Sequence, residues 1–161
     1  MKSYRTRKSG FTLVEILIVV IILGILAAIV IPQFTNASED ARKSSLTSQL
    51  QTLRSQVELY KLQHRDQYPT SDGTSSGDWD WALLTTKTDE DGGTTGDVKY
   101  GPYLQAIPVN NLNGQSGMQS VADDAAALAA TAGDGEGFVF SQATGKIWAF
   151  DKEGNVFNES N

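Results

Sequence analysis

A long apolar stretch near the N-terminus, from Phe11 to Ile31, sets the first limit on how this chain can fold. At about 1.5 Å of rise per residue, a helix over these residues would span roughly 30 Å, the thickness of the hydrocarbon core of a bilayer. Four basic residues precede the stretch, Lys2, Arg5, Arg7 and Lys8. Because positive charge is retained on the cytoplasmic side, we expect this basic head to stay in the cytoplasm and the rest of the chain to be exported.

Three interpretations of the stretch compete. A secretory signal peptide would have a shorter apolar region with a small-residue cleavage site after it. Ala27 and Ala28 could provide that site, but the apolar residues continue beyond them to Ile31. An ordinary signal anchor is the second possibility. The third depends on Glu15, because a carboxylate in a membrane helix costs about 2–3 kcal/mol near the centre, and less near an end, and usually has a partner.

A cut after Gly10 would supply a partner for Glu15. Phe11 would then carry a free, positively charged amine at the helix start, at the same depth as Glu15. Two unit charges about 4 Å apart attract each other by about 4 kcal/mol at an effective dielectric constant near 20, before the desolvation cost is subtracted. Between neighbouring helices, such a pair would set the axial offset of one subunit on the next.

The segment from Lys8 to Glu15, KSGFTLVE, resembles the processing motif of type IV pilins and of the pseudopilins of type II secretion systems. The resemblance implies that a prepilin peptidase cuts between Gly10 and Phe11 and methylates the new amine of Phe11, and that Glu15 guides assembly. It also makes Pro32, which removes one helical hydrogen bond, the place where the helix loosens on assembly. A simple bend at the membrane surface is the alternative for Pro32.

Helical periodicity resumes after Pro32 and continues to about Gln63. Apolar residues three and four positions apart form one stripe, which comprises Phe34, Ala37, Ala41, Leu46, Leu50, Leu53, Val57 and Tyr60. We therefore predict one helix from about 11 to about 63. The lone His64 is expected to be exposed near the helix end, and Trp79 and Trp81 are expected to fill the core.

Three short β-rich runs close the chain, at 137–141, 146–150 and 155–157, and turns that end in glycine separate them. This pattern predicts an antiparallel meander. One face of the sheet would cover the helical stripe, so we predict an α+β, pilin-like fold in which a long N-terminal helix packs against a small C-terminal antiparallel sheet. An alanine-rich run at 123–132 indicates a short helix, while the folds of 85–99 and 115–136 stay open.

These patterns divide the chain into four parts. Residues 1–10 form a basic leader that maturation removes, 11–31 a transmembrane and filament-core helix, 32–63 its amphipathic continuation, and 64–161 a soluble α+β domain with the β-meander.

The run YGPYLQAIP, from Tyr100 to Pro108, resembles a segment that major pseudopilins carry between helix and sheet. The absence of cysteine also favours a pseudopilin, because many adhesive pilins pin a C-terminal loop with a disulfide.

Composition argues against other classes of protein. Removal of the leader would leave nine basic residues against 19 acidic ones, so the mature chain is acidic and nucleic acid is not an expected partner. One histidine, no cysteine and no catalytic motif predict a protein that is not an enzyme and that requires no cofactor. Calcium is the exception, because related pseudopilins bind it near the C-terminal strands; the candidate ligands by composition are Asp134, Glu136, Asp151 and Glu153.

The resulting hypothesis is a structural subunit, the major pseudopilin of a type II secretion system. It would wait in the bacterial inner membrane as a single-pass protein with a cytoplasmic N-terminus, and then assemble into a helical periplasmic filament that drives protein export. Its expected partners are further copies of itself, the prepilin peptidase, the inner-membrane assembly platform and minor pseudopilins. A type IV pilin for adhesion or motility is the alternative.

Overall fold

The computed structural model describes residues 10–71 and 77–159; residues 1–9, 72–76 and 160–161 lie outside the described residues. The elements, in chain order, are α1 (Leu13–Gln63), α2 (Ala82–Thr85), β1 (Gly117–Val121), α3 (Asp124–Leu128), β2 (Glu136–Ser141) and β3 (Ile147–Ala149). The chain forms two compact units, Met1–Ala41 and Arg42–Asn161.

In the first unit, α1 is apolar and exposed on all sides. Ile16 and Leu26, about three turns apart, are 51% and 52% exposed, and Phe34 is 74% exposed. By length and composition, α1 is long and apolar enough to cross a membrane. A continuous apolar surface of this size is unfavourable in water, so this part of the helix requires lipid or protein around it.

In the second unit, α1 supplies one side of the core. The predicted stripe is buried from Leu46 onward, and its buried members are Leu46, Leu50, Leu53, Val57 and Tyr60. They pack in one cluster with Phe138 and Phe140 of β2 and with Ile147 and Ala149 of β3. Each buried leucine contributes about 1.5–3 kcal/mol through the surface that it removes from water. The predicted packing of helix against sheet is therefore confirmed.

The sheet is mixed, and in this respect the prediction of an antiparallel sheet was wrong. Its strand order is β1-β2-β3; β2 pairs antiparallel with β3, but β1 runs parallel to β2. Parallel neighbours need a crossover of about a dozen residues or more, and the segment between Val121 and Glu136, which contains α3, provides it. The run at 155–157 contributes isolated bridges, including one between Phe150 and Val156.

The central strand β2 is buried on both faces. Phe138 and Phe140 point into the cluster with α1, whereas Val139 packs with Ala127 of α3 and with Phe150. This alternation follows from the two-residue period of a strand. The alanine-rich helix is thus present, over a shorter range than predicted, and it covers the second face of the sheet.

The segment from 103 to 111, here called the strap, runs along α1 in the opposite direction. Three side-chain hydrogen bonds mark its course, from Tyr103 Oη to Gln63 Oε1 (2.6 Å), from Gln49 Nε2 to Val109 O (3.1 Å) and from Asn111 Nδ2 to Ser45 Oγ (2.9 Å). The strap therefore links the helix to the turn that precedes β1.

Asn110 joins the strap to the sheet and is fully buried. Its Nδ2 donates to Gly137 O (2.8 Å) and Phe150 O (2.7 Å), and its Oδ1 accepts from Leu112 N (2.8 Å). Glycine at 137 lets the turn before β1 pack closely here, because a Cβ there would lie 2.3 Å from Gln115 O and 3.2 Å from Asn110 Cβ. A buried amide with all these bonds satisfied holds the strap in one register.

His64 is buried, so the prediction that it is exposed was wrong. Its ring stacks on Tyr60 with the centroids 3.8 Å apart, its Nδ1 lies 2.8 Å from Tyr60 O, and its Nε2 lies 2.8 Å from Thr88 Oγ1. His64 follows Tyr60 by four positions and so lies on the same face of the helix. Trp79 and Trp81 are partly buried and pack against the core cluster, as predicted.

Candidate processing and assembly site

The N-terminus of α1 is closed by a capping box formed by Thr12 and Glu15. Because α1 begins at Leu13, Thr12 occupies the N-cap position and Glu15 the third helical position. Glu15 Oε2 accepts from Thr12 N and from Thr12 Oγ1, each at 2.8 Å, and Glu15 N donates to Thr12 Oγ1 at 3.2 Å. These bonds satisfy backbone donors that a helix start otherwise leaves unpaired.

The capping box defines where the negative charge of Glu15 lies. The carboxylate lies at the positive end of the helix dipole, four positions after Phe11, and it is hydrogen-bonded back to Thr12, the residue that follows Phe11. Thr12-x-x-Glu15 matches the capping-box pattern in the sequence, and the signal is the threonine three positions before the glutamate. The role of Thr12 is therefore an addition from the structure.

The junction between Gly10 and Phe11 is accessible in this chain. Gly10 is exposed, and a Cβ built on it would meet no atom within 4 Å. Phe11 is 86% exposed. The fold of the described residues leaves room for a side chain at position 10, so a requirement for glycine there would come from an enzyme that binds the junction.

Pro32 lies inside α1, which continues through it without interruption. Proline cannot donate the helical hydrogen bond to the residue four positions earlier. Three residues later, Thr35 Oγ1 donates to Ile31 O at 3.2 Å. Loosening of the helix at Pro32 on assembly stays a prediction.

Two of the four candidate calcium ligands, Asp151 and Glu136, accept hydrogen bonds from backbone amides close to them in sequence. Asp151 Oδ1 accepts from Glu153 N (3.0 Å) and Asn155 N (2.8 Å), and Glu136 Oε2 accepts from Gly133 N (2.6 Å). In the part of the chain that the structure describes, no three or more His, Cys, Asp or Glu side chains are grouped so that they could hold a metal ion. Calcium binding by Asp134, Glu136, Asp151 and Glu153 stays a prediction.

Three side chains of the second unit have strongly shifted pKa values. Burial raises the pKa of Tyr60 to about 12, and burial likewise raises the pKa of Tyr103 to about 12. Both phenols therefore remain neutral hydrogen-bonding groups near neutral pH. Hydrogen bonds from Thr144, then Ser141 and Lys146, lower the pKa of Asp124 to about 2.

Comparison with known proteins gives one family model and several relatives. The model of a family described as the prokaryotic N-terminal methylation motif matches residues 5–31. Type II secretion system core protein G of Dickeya chrysanthemi is 42% identical over 66 residues, which cover 41% of this chain and 42% of that protein. Its counterpart in Aeromonas hydrophila is 38% identical over 68 residues, or 42% of this chain and 47% of that protein.

A longer match extends into the second unit. Type II secretion system core protein G of Vibrio cholerae is 32% identical over 108 residues, which cover 67% of both chains. The chain thus spans less than half the length of the first two relatives and two thirds of the third. No solved structure matches this chain.

The first half of α1 is exposed and apolar and carries a methylation motif, and its second half forms a small α+β core with the sheet. These features together define a pilin-like protein. The match over two thirds of both chains then identifies the group within this class. The chain belongs to the family of type II secretion system core protein G, the major pseudopilins.

Proposed function

We propose that this protein is cut after Gly10, methylated on Phe11, and assembled through α1 into the filament of a type II secretion system. The observation that carries the proposal is the exposed apolar half of α1, which begins at the Thr12–Glu15 cap. Lipid covers such a surface before assembly, and the same surfaces of other copies cover it afterwards. The protein is a structural subunit on which the peptidase acts, and it has no catalytic role of its own.

The free energy of assembly comes from many small packing contributions along α1. Lipid tails are as apolar as leucine, so transfer of α1 from lipid into a bundle gains from side-chain packing and from polar contacts, with little contribution from the hydrophobic effect. Glu15 is the costly group in lipid. In the cut chain, the new amine of Phe11 provides the charged donor that a neighbouring Glu15 lacks in lipid.

The partners and location follow from this role. The prepilin peptidase, the inner-membrane assembly platform and minor pseudopilins act on or contact the protein, and further copies of the chain form the filament. Before assembly the protein spans the inner membrane once, with its N-terminus in the cytoplasm and its second unit in the periplasm. The resulting periplasmic filament drives export.

Mass spectrometry of the mature protein tests processing. The expected N-terminus is Phe11 with one additional methyl group. Gly10→Val should abolish cleavage without changing the fold of the soluble domain, because position 10 has free space; Ser9→Ala is the matched control. An intact Met1 end, or a cut after Ala28, would overturn the proposal.

Variants at the helix cap test assembly. Glu15→Ala should leave cleavage and membrane insertion intact but abolish filaments on overexpression. Thr12→Val removes the hydroxyl of the cap while it keeps the charge, so it separates capping from charge pairing. Normal filaments from Glu15→Ala would show that the charge-pair account of Glu15 is wrong.

Gene deletion distinguishes a secretion subunit from a surface pilin. Loss of the subunit should block export of folded cargo and leave surface fibres and surface motility unchanged. Loss of surface fibres or motility with normal export would instead indicate a type IV pilin.

A further inference from the structure

The chain contains a single Asn-Gly pair, Asn113–Gly114, in the turn between the strap and β1. Asparagine is a thermolabile residue, and glycine after it offers the least steric shielding of the next backbone amide. In a flexible peptide, this pair is the one in which spontaneous deamidation is fastest.

The reaction needs no co-reactant except water. The amide nitrogen of Gly114 attacks Cγ of Asn113, the Cγ–Nδ2 bond breaks, and ammonia leaves with the proton of that amide. The product is a five-membered succinimide. Water then opens the ring at either carbonyl, which gives aspartate or isoaspartate at position 113, with no change in oxidation state.

Three hydrogen bonds oppose the first step in the folded chain. Gly114 N, the nucleophile, donates to Asn110 O at 2.8 Å. Asn113 Nδ2, part of the leaving group, donates to Glu136 O at 2.9 Å, and Asn113 Oδ1 accepts from Gln115 N at 3.0 Å. The nucleophile and the side chain that it must attack are therefore both held by other partners, and the buried Asn110 holds the turn itself.

We propose that Asn113 is a modification site of this protein, at which spontaneous deamidation is suppressed by the folded turn and proceeds when the turn opens. The consequence is structural. A carboxylate at 113 cannot donate to Glu136 O and places negative charge beside that carbonyl. Isoaspartate also adds a methylene to the backbone next to Gly114, whose φ is +75°. Either product detaches the turn from the start of β2.

The test follows deamidation in the intact chain in detergent, with and without urea that unfolds the second unit. Incubation in ¹⁸O-labelled water at mildly alkaline pH marks each product, and peptide mass spectrometry with isoaspartate detection locates it. Deamidation at Asn113 should be at least about tenfold slower in the folded protein than in urea, because three hydrogen bonds must open. Asn111, which precedes leucine, is the internal control and should react slowly in both conditions.

A variant tests the role of the turn. Asn110→Ala removes the side-chain anchor, so Asn113 should deamidate severalfold faster than in the wild type without urea; an unfolded variant would match the wild-type rate in urea. Equal rates at Asn113 with and without urea would overturn the protection. Rates at Asn113 no higher than at Asn111 in urea would overturn the assignment of the site.

Discussion

The side chain of Asn110 connects three segments of the second unit: the strap, the start of β2 and the residue after β3. Asn110→Ala would leave Phe150 O without this donor and Leu112 N without this acceptor, whereas Gly137 O would keep its hydrogen bond from Phe150 N at 3.0 Å. We expect a loss of about 2–4 kcal/mol in the free energy of unfolding, because each unpaired buried group costs about 1–3 kcal/mol. Tryptophan fluorescence during urea unfolding of the detergent-solubilised chain measures this loss.

The neighbouring residue provides the control for Asn110. Asn111 is exposed, and its Nδ2 donates to Ser45 Oγ at 2.9 Å. Asn111→Ala should cost less than about 1 kcal/mol, since water replaces the lost partner. Equal losses for the two variants would contradict the assigned role of Asn110.

The lowered pKa of Asp124 should make the free energy of unfolding depend on pH. Its pKa in the folded chain is about 2, below the ordinary value of 3.8, because Thr144, Ser141 and Lys146 hydrogen-bond to the carboxylate. A group with a lowered pKa stabilises the fold above its unfolded pKa and loses that contribution as pH falls through the folded value. The contribution should therefore be complete above about pH 5 and disappear between about pH 4 and pH 2.

The measurement compares unfolding of the wild type and Asp124→Asn across this range. The variant should be less stable near neutral pH, and the difference should close toward pH 2. Thr144→Val removes one donor, whose Oγ1 lies 2.5 Å from Asp124 Oδ1. The folded pKa of Asp124 should then lie closer to its ordinary value, so the pH range over which stability is lost should become narrower. A difference that stays constant down to pH 2 would refute the assignment.

At the scale of elements, Arg54 connects α1, β3 and the C-terminal tail. Its Nε donates to Ile147 O at 3.0 Å and its Nη1 donates to Glu159 Oε2 at 3.0 Å. Arg54→Ala loses both partners, whereas Glu159→Ala loses one. We therefore expect Arg54→Ala to be the more destabilising of the two.

A double-mutant cycle isolates the ion pair. The coupling between Arg54 and Glu159 should be about 0.5–1.5 kcal/mol, because the two side chains are 31% and 25% exposed and solvent screens part of the attraction. The remainder of the Arg54 effect then belongs to its bonds with Ile147 O. If Arg54→Ala and Glu159→Ala lower the free energy of unfolding equally and show no coupling, Arg54 does not hold the C-terminal tail.

At the scale of the whole molecule, the core belongs to the second unit alone. The described members of the two core clusters fall between Leu46 and Phe157, whereas the apolar residues from Phe11 to Phe34 are exposed. A chain that begins at Asn36 should therefore be soluble without detergent. Its urea midpoint should match that of the full chain in detergent, because no described core contact has been removed.

Circular dichroism and urea unfolding of the two chains make this comparison. Leu50→Ala in the shortened chain is the positive control, with an expected loss of about 2–5 kcal/mol for a fully buried leucine. A shortened chain without a cooperative transition would mean that the residues before Asn36 contribute to the core.

Much of this architecture follows from local pattern. The apolar stretch, the helical stripe from Leu46 to Tyr60 and the pairing of β2 with β3 are all visible in the sequence, because each depends on the period of one element or on a short turn. The methylation motif is likewise a run of adjacent residues, and it is matched at 5–31.

Other features depend on segments that are distant in sequence. The parallel partner of β2 is β1, which the alanine-rich crossover returns to the sheet, and no local period encodes the direction of a returning strand. His64 appeared exposed because its partner Thr88 is 24 residues away, and the anchoring by Asn110 depends on carbonyls of β2 and of Phe150 just beyond β3. The sequence alone thus determined the helix, its apolar half and its processing motif. Tertiary contacts decided the sheet direction and the buried polar anchors, because burial of a polar group is favourable only where the folded chain brings it a partner.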